Sequence, residues 1–388
     1  MQFRDLKTQY RKLKPEIDQA VIQVMTDANF ISGAQVAELE VQLASYVGVK
    51  HCITCANGTD ALTLALMAWD VGAGDAVFVP DFTFFASGET VAYEGATPIF
   101  VDVEEDTFNM SPTSLQQAVE AVLEEGKLTP KAIVAVDLFG QPADYTAIRK
   151  LADQYGIYLL EDGAQGFGGE LQINGIAHKA CSFGDISTTS FFPAKPLGCY
   201  GDGGAVFTDN DAWAEKIRSL RIHGKGLDKY DNVRIGINSR LDTMQAAILQ
   251  VKLKAFCDYE LEAVNKAAAV YTKELSGKNE LEKLVIAPVV KDGFYSSWAQ
   301  YSILLDSEEV RDGLQAFLKQ KGIPTMIYYV KPMSRQKAFQ GMDCVKTALP
   351  VAEKLCRRVL SLPLHPYIGQ EEQEMVVSSI KKYFNIKE

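Results

Sequence analysis

The run Ser190-Phe-Phe-Pro-Ala-Lys-Pro-Leu-Gly-Cys-Tyr-Gly-Asp-Gly-Gly204 holds one lysine, Lys195, among nearly chargeless neighbours. Four glycines follow it within nine residues. An amine surrounded by apolar groups is costly to protonate, so its pKa falls. A neutral amine is a nucleophile, and such lysines form Schiff bases with carbonyl compounds. The glycines let backbone come close to a bulky bound group. A lysine on a glycine-rich surface loop would show the same local pattern.

Two further segments bear on that choice. Tyr158-Leu-Leu-Glu-Asp-Gly-Ala-Gln165 reads as a short buried strand that delivers Asp162 at its carboxyl end. Ligands of open α/β sheets collect at the carboxyl ends of strands. A carboxylate there, ahead of a Schiff-base lysine, suits pyridoxal phosphate (PLP), which is an electron sink only while an acidic partner keeps its ring nitrogen protonated. An aspartate capping the next helix is the ordinary alternative. In Ala56-Asn-Gly-Thr-Asp-Ala-Leu62, residues Gly58, Thr59 and Asp60 open a helix after the strand-like run Cys52 to Cys55. The first N–H groups of a helix are unpaired and form a ready phosphate site. Phosphate cradle, aspartate and lysine follow in that order, roughly a hundred and then about thirty residues apart.

On these motifs the chain resembles the DegT/DnrJ/EryC1/StrS sugar aminotransferases, PLP enzymes of the aspartate-aminotransferase fold. The resemblance runs from Phe3-Arg-Asp-Leu-Lys7 through Phe30-Ile-Ser-Gly33, Asn57-Gly-Thr-Asp60 and Pro80-Asp-Phe-Thr-Phe-Phe-Ala86. It continues in Glu161-Asp-Gly-Ala-Gln165, the lysine segment and Gly236-Ile-Asn-Ser-Arg-Leu-Asp-Thr-Met-Gln-Ala246. Within the group the lysine segment is most similar to enzymes that aminate UDP-linked 3-keto-uronic acids for bacterial surface polysaccharides.

The resemblance implies roles residue by residue. Lys195 would hold PLP and move the proton in a two-stage amino transfer. Asp162 and Gln165 would contact the ring nitrogen and phenolic oxygen. Gly58, Thr59 and Ser190 would hold the phosphate, and Phe84 would stack on the ring; a core phenylalanine is the other reading, since Phe82, Phe84 and Phe85 cluster. Asn238 matches a residue donated to the phosphate by the other subunit, which implies a homodimer with shared sites. Arg240 would face the same way in an extended segment and grip a substrate carboxylate or phosphate; a surface pair with Asp242 competes. Tyr328 and Tyr329 lie where close relatives carry His-Tyr against the sugar acid, so Tyr328 weakens the case for a uronate there. His223 falls in a substrate-loop segment. The implied partners are a keto-sugar and an amino-acid donor, glutamate in the family. UDP-2-acetamido-3-keto-glucuronate is the first substrate expected, and an 8-oxo 3-deoxy-octulosonate the alternative. Sugar dehydratases of the same fold carry histidine in place of the lysine, and a non-catalytic sensor would not need Thr59, Asp162, Gln165, Ser190 and Lys195 together.

The elements that position these residues follow from pattern and length. A chain of 388 residues exceeds what one core usually organises. The expected fold class is α/β: a fold type I PLP large domain with a mostly parallel sheet, plus a smaller C-terminal α+β domain. The large domain with the N-terminal arm is expected over 1–254 and the small one over 255–388. Strands are predicted at Ala76 to Val79, Pro98 to Val103, Ala132 to Val136, Ile157 to Leu160 and Ala205 to Phe207. Helices are predicted at Ala61 to Ala68, Ser114 to Glu124 and Tyr145 to Gln154. Such alternation argues for a parallel sheet covered on both faces. Met244 to Leu261 reads as one long linking helix with Asp242 as N-cap. Gln300 to Leu304, with Ile327 and its neighbours, reads as a small antiparallel sheet.

Net charge of −11 argues against nucleic acid or an anionic membrane as partner. No apolar run reaches the ~20 residues that span a bilayer, and no secretory signal is visible at Met1-Gln-Phe-Arg-Asp5. The default compartment is the cytoplasm. Seven scattered cysteines suit free thiols in a reducing compartment. Cys52 and Cys55 lack a second pair at zinc spacing, and His51, His178, His223 and His365 are too dispersed for a metal site.

Overall fold

The computed structural model describes residues 1–386 apart from 229, 277–279 and 343–346; Cys344 lies outside the described residues. The chain opens with α1 (Leu6–Asp27) and α2 (Ala34–Val47). Strands and helices then alternate: β1 (His51–Cys55), α3 (Gly58–Ala68), β2 (Asp75–Pro80), α4 (Ala86–Tyr93), β3 (Thr97–Val101), α5 (Pro112–Glu125), β4 (Thr129–Val136), α6 (Tyr145–Tyr155) and β5 (Tyr158–Asp162). A small hairpin, β6 (Glu170–Ile173) and β7 (Ile176–Lys179), precedes β8 (Ile186–Ser190), β9 (Gly204–Thr208), α7 (Asp211–Leu220), α8 (Thr243–Ala255) and α9 (Leu261–Leu275). The remainder is β10 (Phe294–Tyr295), β11 (Tyr301–Leu304), α10 (Glu308–Gln320), α11 (Pro350–Arg358), β12 (Val359–Leu362) and α12 (Gln370–Tyr383).

The main sheet has the order β1-β9-β8-β5-β4-β2-β3, and only β9 runs against the others. Both faces are buried, which the alternation of side chains makes visible. Ala76 and Phe78 of β2, Ile133 and Ala135 of β4 and Leu159 of β5 pack into one cluster with α5 and α6. Their neighbours Val77, Val79, Val134, Val136 and Leu160 pack on the other face with α3. Every residue of β8 and β9 is buried. Cys52 and Cys55, three apart on β1, enter different clusters, so they pack as small hydrophobes on opposite faces.

Parallel direction gathers the strand ends Cys55, Pro80, Val136, Asp162 and Ser190 on one rim. The register aligns Cys55 and Ser190 with Gly204, and Asp162 with Thr188. The site residues therefore meet because of sheet topology, across large sequence gaps.

Three expectations need correction. The linking helix is not a single α-helix: a π-helical turn over Phe256–Glu260 separates α8 from α9. Asp242 occupies the N-cap of α8 without a side-chain cap bond; its carbonyl accepts from Ala246 N at 3.0 Å instead. The partner of β11 is β12, and Ile327 is outside it, although its neighbour Met326 bridges Ser361. A separate apolar cluster within residues 264–380 surrounds this small sheet. No helix among the described residues is long and apolar enough to cross a membrane.

At the rim end of β2, the buried Asp81 carboxylate accepts the Ser334 N–H at 2.6 Å and its hydroxyl at 3.0 Å. Burial pushes the carboxyl up to about 6, and the Ser334 bonds only partly oppose this. The folded state therefore holds this proton more tightly than the unfolded chain, whose aspartate titrates near ~4. This contribution to stability is complete below about pH 4 and falls as pH rises through about 6. Asp81→Asn should flatten that part of the stability profile, read as the difference in unfolding free energy between the two proteins across this window.

Candidate active site

Lys195 sits in the loop between β8 and β9, tied by its own N–H to the Phe192 carbonyl at 2.9 Å. It is only partly exposed at the surface and densely surrounded by protein. Burial pulls its amine below the usual lysine range; Asp162 opposes this and the Arg4 charge adds to it. Nothing caps the amine with a stable counter-charge at bonding distance among the described ion pairs, so its neutral form is accessible.

Asp162 is buried at the end of β5. Its Oδ2 accepts the Ser87 hydroxyl at 2.8 Å, and its Oδ1 accepts Ala164 N at 3.2 Å. Burial raises its pKa, while Ser87 and the Lys195 charge pull it back. The local bond to Ala164 resembles a cap, but a turn and not a helix follows. An aromatic nitrogen cation placed against this carboxyl would stabilise its ionised form.

Gln165 is fixed from both ends. Its Oε1 accepts Phe139 N at 3.0 Å, and its Nε2 donates to the Tyr329 hydroxyl at 3.2 Å. Tyr329 is surrounded by protein, and burial raises its phenol above the ordinary range. Of the three clustered phenylalanines, Phe82 is buried and Phe85 packs on Phe339 with centroids 5.2 Å apart. Phe84 is 55% exposed and lies 6.4 Å from Tyr329, so it alone offers a free ring face beside this group.

The α3 N-terminus forms the opposite wall. Asn57 caps it by accepting Asp60 N at 2.8 Å, which leaves the first-turn N–H groups of Gly58 and Thr59 aimed outward. A Cβ at Gly58 would lie 2.6 Å from the Ser190 Cβ, so glycine is what lets the helix start meet the Ser190 hydroxyl. An anion can receive main-chain donors, the helix dipole and a hydroxyl at this one place.

Asn238 precedes Ser239, whose Oγ accepts Ala56 N at 3.0 Å beside the start of α3. Arg240 Nη2 donates to Asn238 Oδ1 at 2.8 Å, so both face the same way, and no Arg240–Asp242 pair is present among the described ion pairs. Arg240 and His223 line an open cavity of about 990 Å³ with Lys225, Arg234 and Ser32; Lys195 is not among its walls. Tyr328 is half-buried, edge-on to Phe3 at 6.4 Å.

Sequence reasoning missed two residues here. Ser87, which holds Asp162, lies 75 positions away from it; its only signal was a hydroxyl in the segment after β2. Arg4 donates to the Lys195 carbonyl at 3.0 Å across 191 positions; it stood inside the Phe3-Arg-Asp-Leu-Lys7 motif without a role.

A buried amine, a strand-end carboxylate and a helix N-terminus on the rim of a parallel sheet define a PLP-dependent aminotransferase. The chain belongs to the DegT/DnrJ/EryC1/StrS aminotransferase family, which matches residues 11–381. It is 41% identical over 382 residues to the UDP-2-acetamido-2-deoxy-3-oxo-D-glucuronate aminotransferase of Pseudomonas aeruginosa, covering 98% of this chain and 99% of that one. A crystal structure of a family member from Brucella abortus superposes with a TM-score of 0.93 at 46% identity, covering 99% of both chains. DesV of S. venezuelae, solved in complex with a ketimine intermediate, superposes at 0.89 with 33% identity, covering 100% of this chain and 99% of the other.

Gly58→Ala should weaken PLP binding by about tenfold or more, because the new methyl group must push the helix start away from Ser190. Equilibrium titration of the apoprotein with PLP measures it; the overall fold, read by circular dichroism, should persist.

Proposed function

We propose that this protein transfers the amino group of an amino acid, with glutamate as donor, to UDP-2-acetamido-3-keto-glucuronate in the synthesis of a bacterial surface polysaccharide such as lipopolysaccharide O-antigen. The reading rests on one observation: the sheet register brings Asp162 to Thr188 and seats Ser190, at the head of the Lys195 loop, against Gly58 at the start of α3.

The residues present fit PLP. Gly58, Thr59 and Ser190 would hold its phosphate, Asp162 its ring nitrogen and Gln165 its phenolic oxygen, with Phe84 over one face. PLP supplies an electron sink for the substrate carbon that gains or loses a proton. Lys195 would anchor the group covalently, and its Nζ, when released, would carry that proton between donor and acceptor atoms. Burial pulls its pKa down, which favours the neutral form that can accept a proton. Asp162, braced by Ser87, keeps its charge aimed at one point, and Gln165 is held by Phe139 N and Tyr329 so that it cannot swing away. The domain division at 254/255 would place the cleft between the sheet rim and the segment carrying Tyr328 and Tyr329.

We assign the active unit as a homodimer. His223 and Arg240 line an open cavity whose walls do not include Lys195, and Leu227, Val233 and Ile235 of the same stretch are exposed. A second copy that covers those apolar side chains would receive Asn238 at its phosphate and Arg240 at the acidic sugar. Tyr328 and Tyr329 would face the sugar from the chain that holds Lys195. The cytoplasm is the compartment we assign; all six described cysteines are unpaired. Similarity to the Pseudomonas aeruginosa enzyme supports the nucleotide-linked uronate, while Tyr328 in place of a histidine is the departure that leaves room for the octulosonate.

Borohydride reduction in the presence of PLP should fix the cofactor to the Lys195 peptide, read by mass spectrometry, and Lys195→Ala should lose both the adduct and at least ~10³-fold in turnover. Loading the enzyme with glutamate and then offering keto-sugars one at a time identifies the acceptor; a spectrum restored by the octulosonate and not by the uronate would overturn the substrate. Mixed Lys195→Ala and Asn238→Ala chains should recover part of the activity if sites are shared, and none if each chain is self-contained.

A further inference from the structure

The N-terminal arm reaches under the active-site lysine. Arg4 Nη2 donates to the Lys195 carbonyl oxygen at 3.0 Å, and the adjacent Phe3 packs edge-on to Tyr328. Helix α1 anchors the arm. Asp5 caps α1 by accepting Thr8 N at 2.9 Å. Leu13 and Ile17 of α1 pack on Ile248 and Ala255 of α8. Gln9 donates to both Glu260 oxygens at 2.9 and 3.1 Å, within the π-helical turn, and the Tyr367 hydroxyl also donates to Glu260.

We propose that Arg4 is a positioning residue for Lys195: it fixes the lysine main chain through the carbonyl and holds a positive charge on that side of the loop, against protonation of the amine. This rests on the reading of Lys195 as the PLP lysine. The groups that face Lys195 are Asp162 from β5, which favours the charged amine, and Arg4, which disfavours it. Those that face Arg4 are Glu260 from the turn, Lys252 of α8, and Tyr328 and His365 from the C-terminal region. Glu260 is already engaged by Gln9 and Tyr367, so it screens Arg4 only in part. Burial brings the guanidinium itself down to about 10, still well above neutrality, so its charge persists wherever the enzyme works. Lys252, 2% exposed and brought down to about 8, adds a second basic group behind the first. The anchored backbone then sets the place of the lysine, while the arm adds a positive charge that acts with burial against the amine's proton.

The test uses the full chain freed of PLP. Acetic anhydride labels its lysines over a range of pH, and peptide mass spectrometry gives the midpoint for Lys195. In Arg4→Gln, which removes the charge and keeps a donor, that midpoint should rise by about one unit, equivalent to roughly tenfold lower Lys195 reactivity below it. Arg4→Lys, which restores a cation, should bring the midpoint back towards the original value. Arg4→Met serves as a second neutral variant where it folds. A role limited to stability would change the melting temperature and leave the midpoint in place. An unchanged or lowered midpoint in Arg4→Gln overturns the proposal. Borohydride trapping separates the two readings: PLP fixed to another lysine overturns both, whereas PLP fixed to Lys195 with an unmoved midpoint overturns the role of Arg4 alone.

Discussion

The structure depends on bringing a lysine amine and a carboxylate together where burial disfavours the charge on each. Bringing Lys195 into the protein works against its proton, and bringing Asp162 in works against its charge. Each group attracts the other, and the surroundings hold both in place. Asp162 is committed to the Ser87 hydroxyl and the Ala164 N–H. The Lys195 backbone is committed to Phe192 and Arg4. An aromatic cation bound against Asp162 would satisfy the acid and weaken its hold on the amine proton.

The parallel sheet is what makes this arrangement possible. Strands buried on both faces must return by crossover helices, and their carboxyl ends collect on one side. Asp162, Ser190 and the start of α3 are neighbours for that reason alone. The single antiparallel strand β9 closes the site: Gly204 pairs with both Ser190 and Cys55, and a Cβ there would press on the Asn57 carbonyl at 2.5 Å. The same rim carries a second pair of buried carboxyls, Asp137 and Glu161, both raised by burial. They brace the strand ends behind Asp162: Glu161 accepts Phe183 N at 2.7 Å and the Ser187 hydroxyl at 2.8 Å, and Asp137 accepts the Tyr145 hydroxyl at 2.7 Å.

Much of the large domain was legible in the chain because strands buried on both faces are short apolar runs, and helices between them carry caps. The predicted run Ala132 to Val136 lies inside β4 and Tyr145 to Gln154 inside α6. The linking helix was legible only as helix. Its π-helical turn seats Glu260 against Gln9 and Tyr367, and no local pattern in Phe256-Cys-Asp-Tyr-Glu260 announces partners that come from the two ends of the chain. The pairing of β11 failed for a related reason. Val359–Leu362 and the neighbourhood of Ile327 are both apolar, and the choice between them is made by packing over α9, α10 and α12.

The chemical identities were determined locally: a lysine among uncharged neighbours, an aspartate at the end of an apolar run and a small-residue helix start. Each is encoded by residues within a few positions, because burial and capping act over one turn or one strand. Tertiary structure alone decided which of three phenylalanines keeps a free face, which hydroxyl braces Asp162 and which cation lies under Lys195. It also decided that Arg240 reaches Asn238. The brace on Asp162 and the cation under Lys195 depend on segments 75 to 191 residues apart meeting in one register, and side-chain periodicity says which face is covered without saying by what.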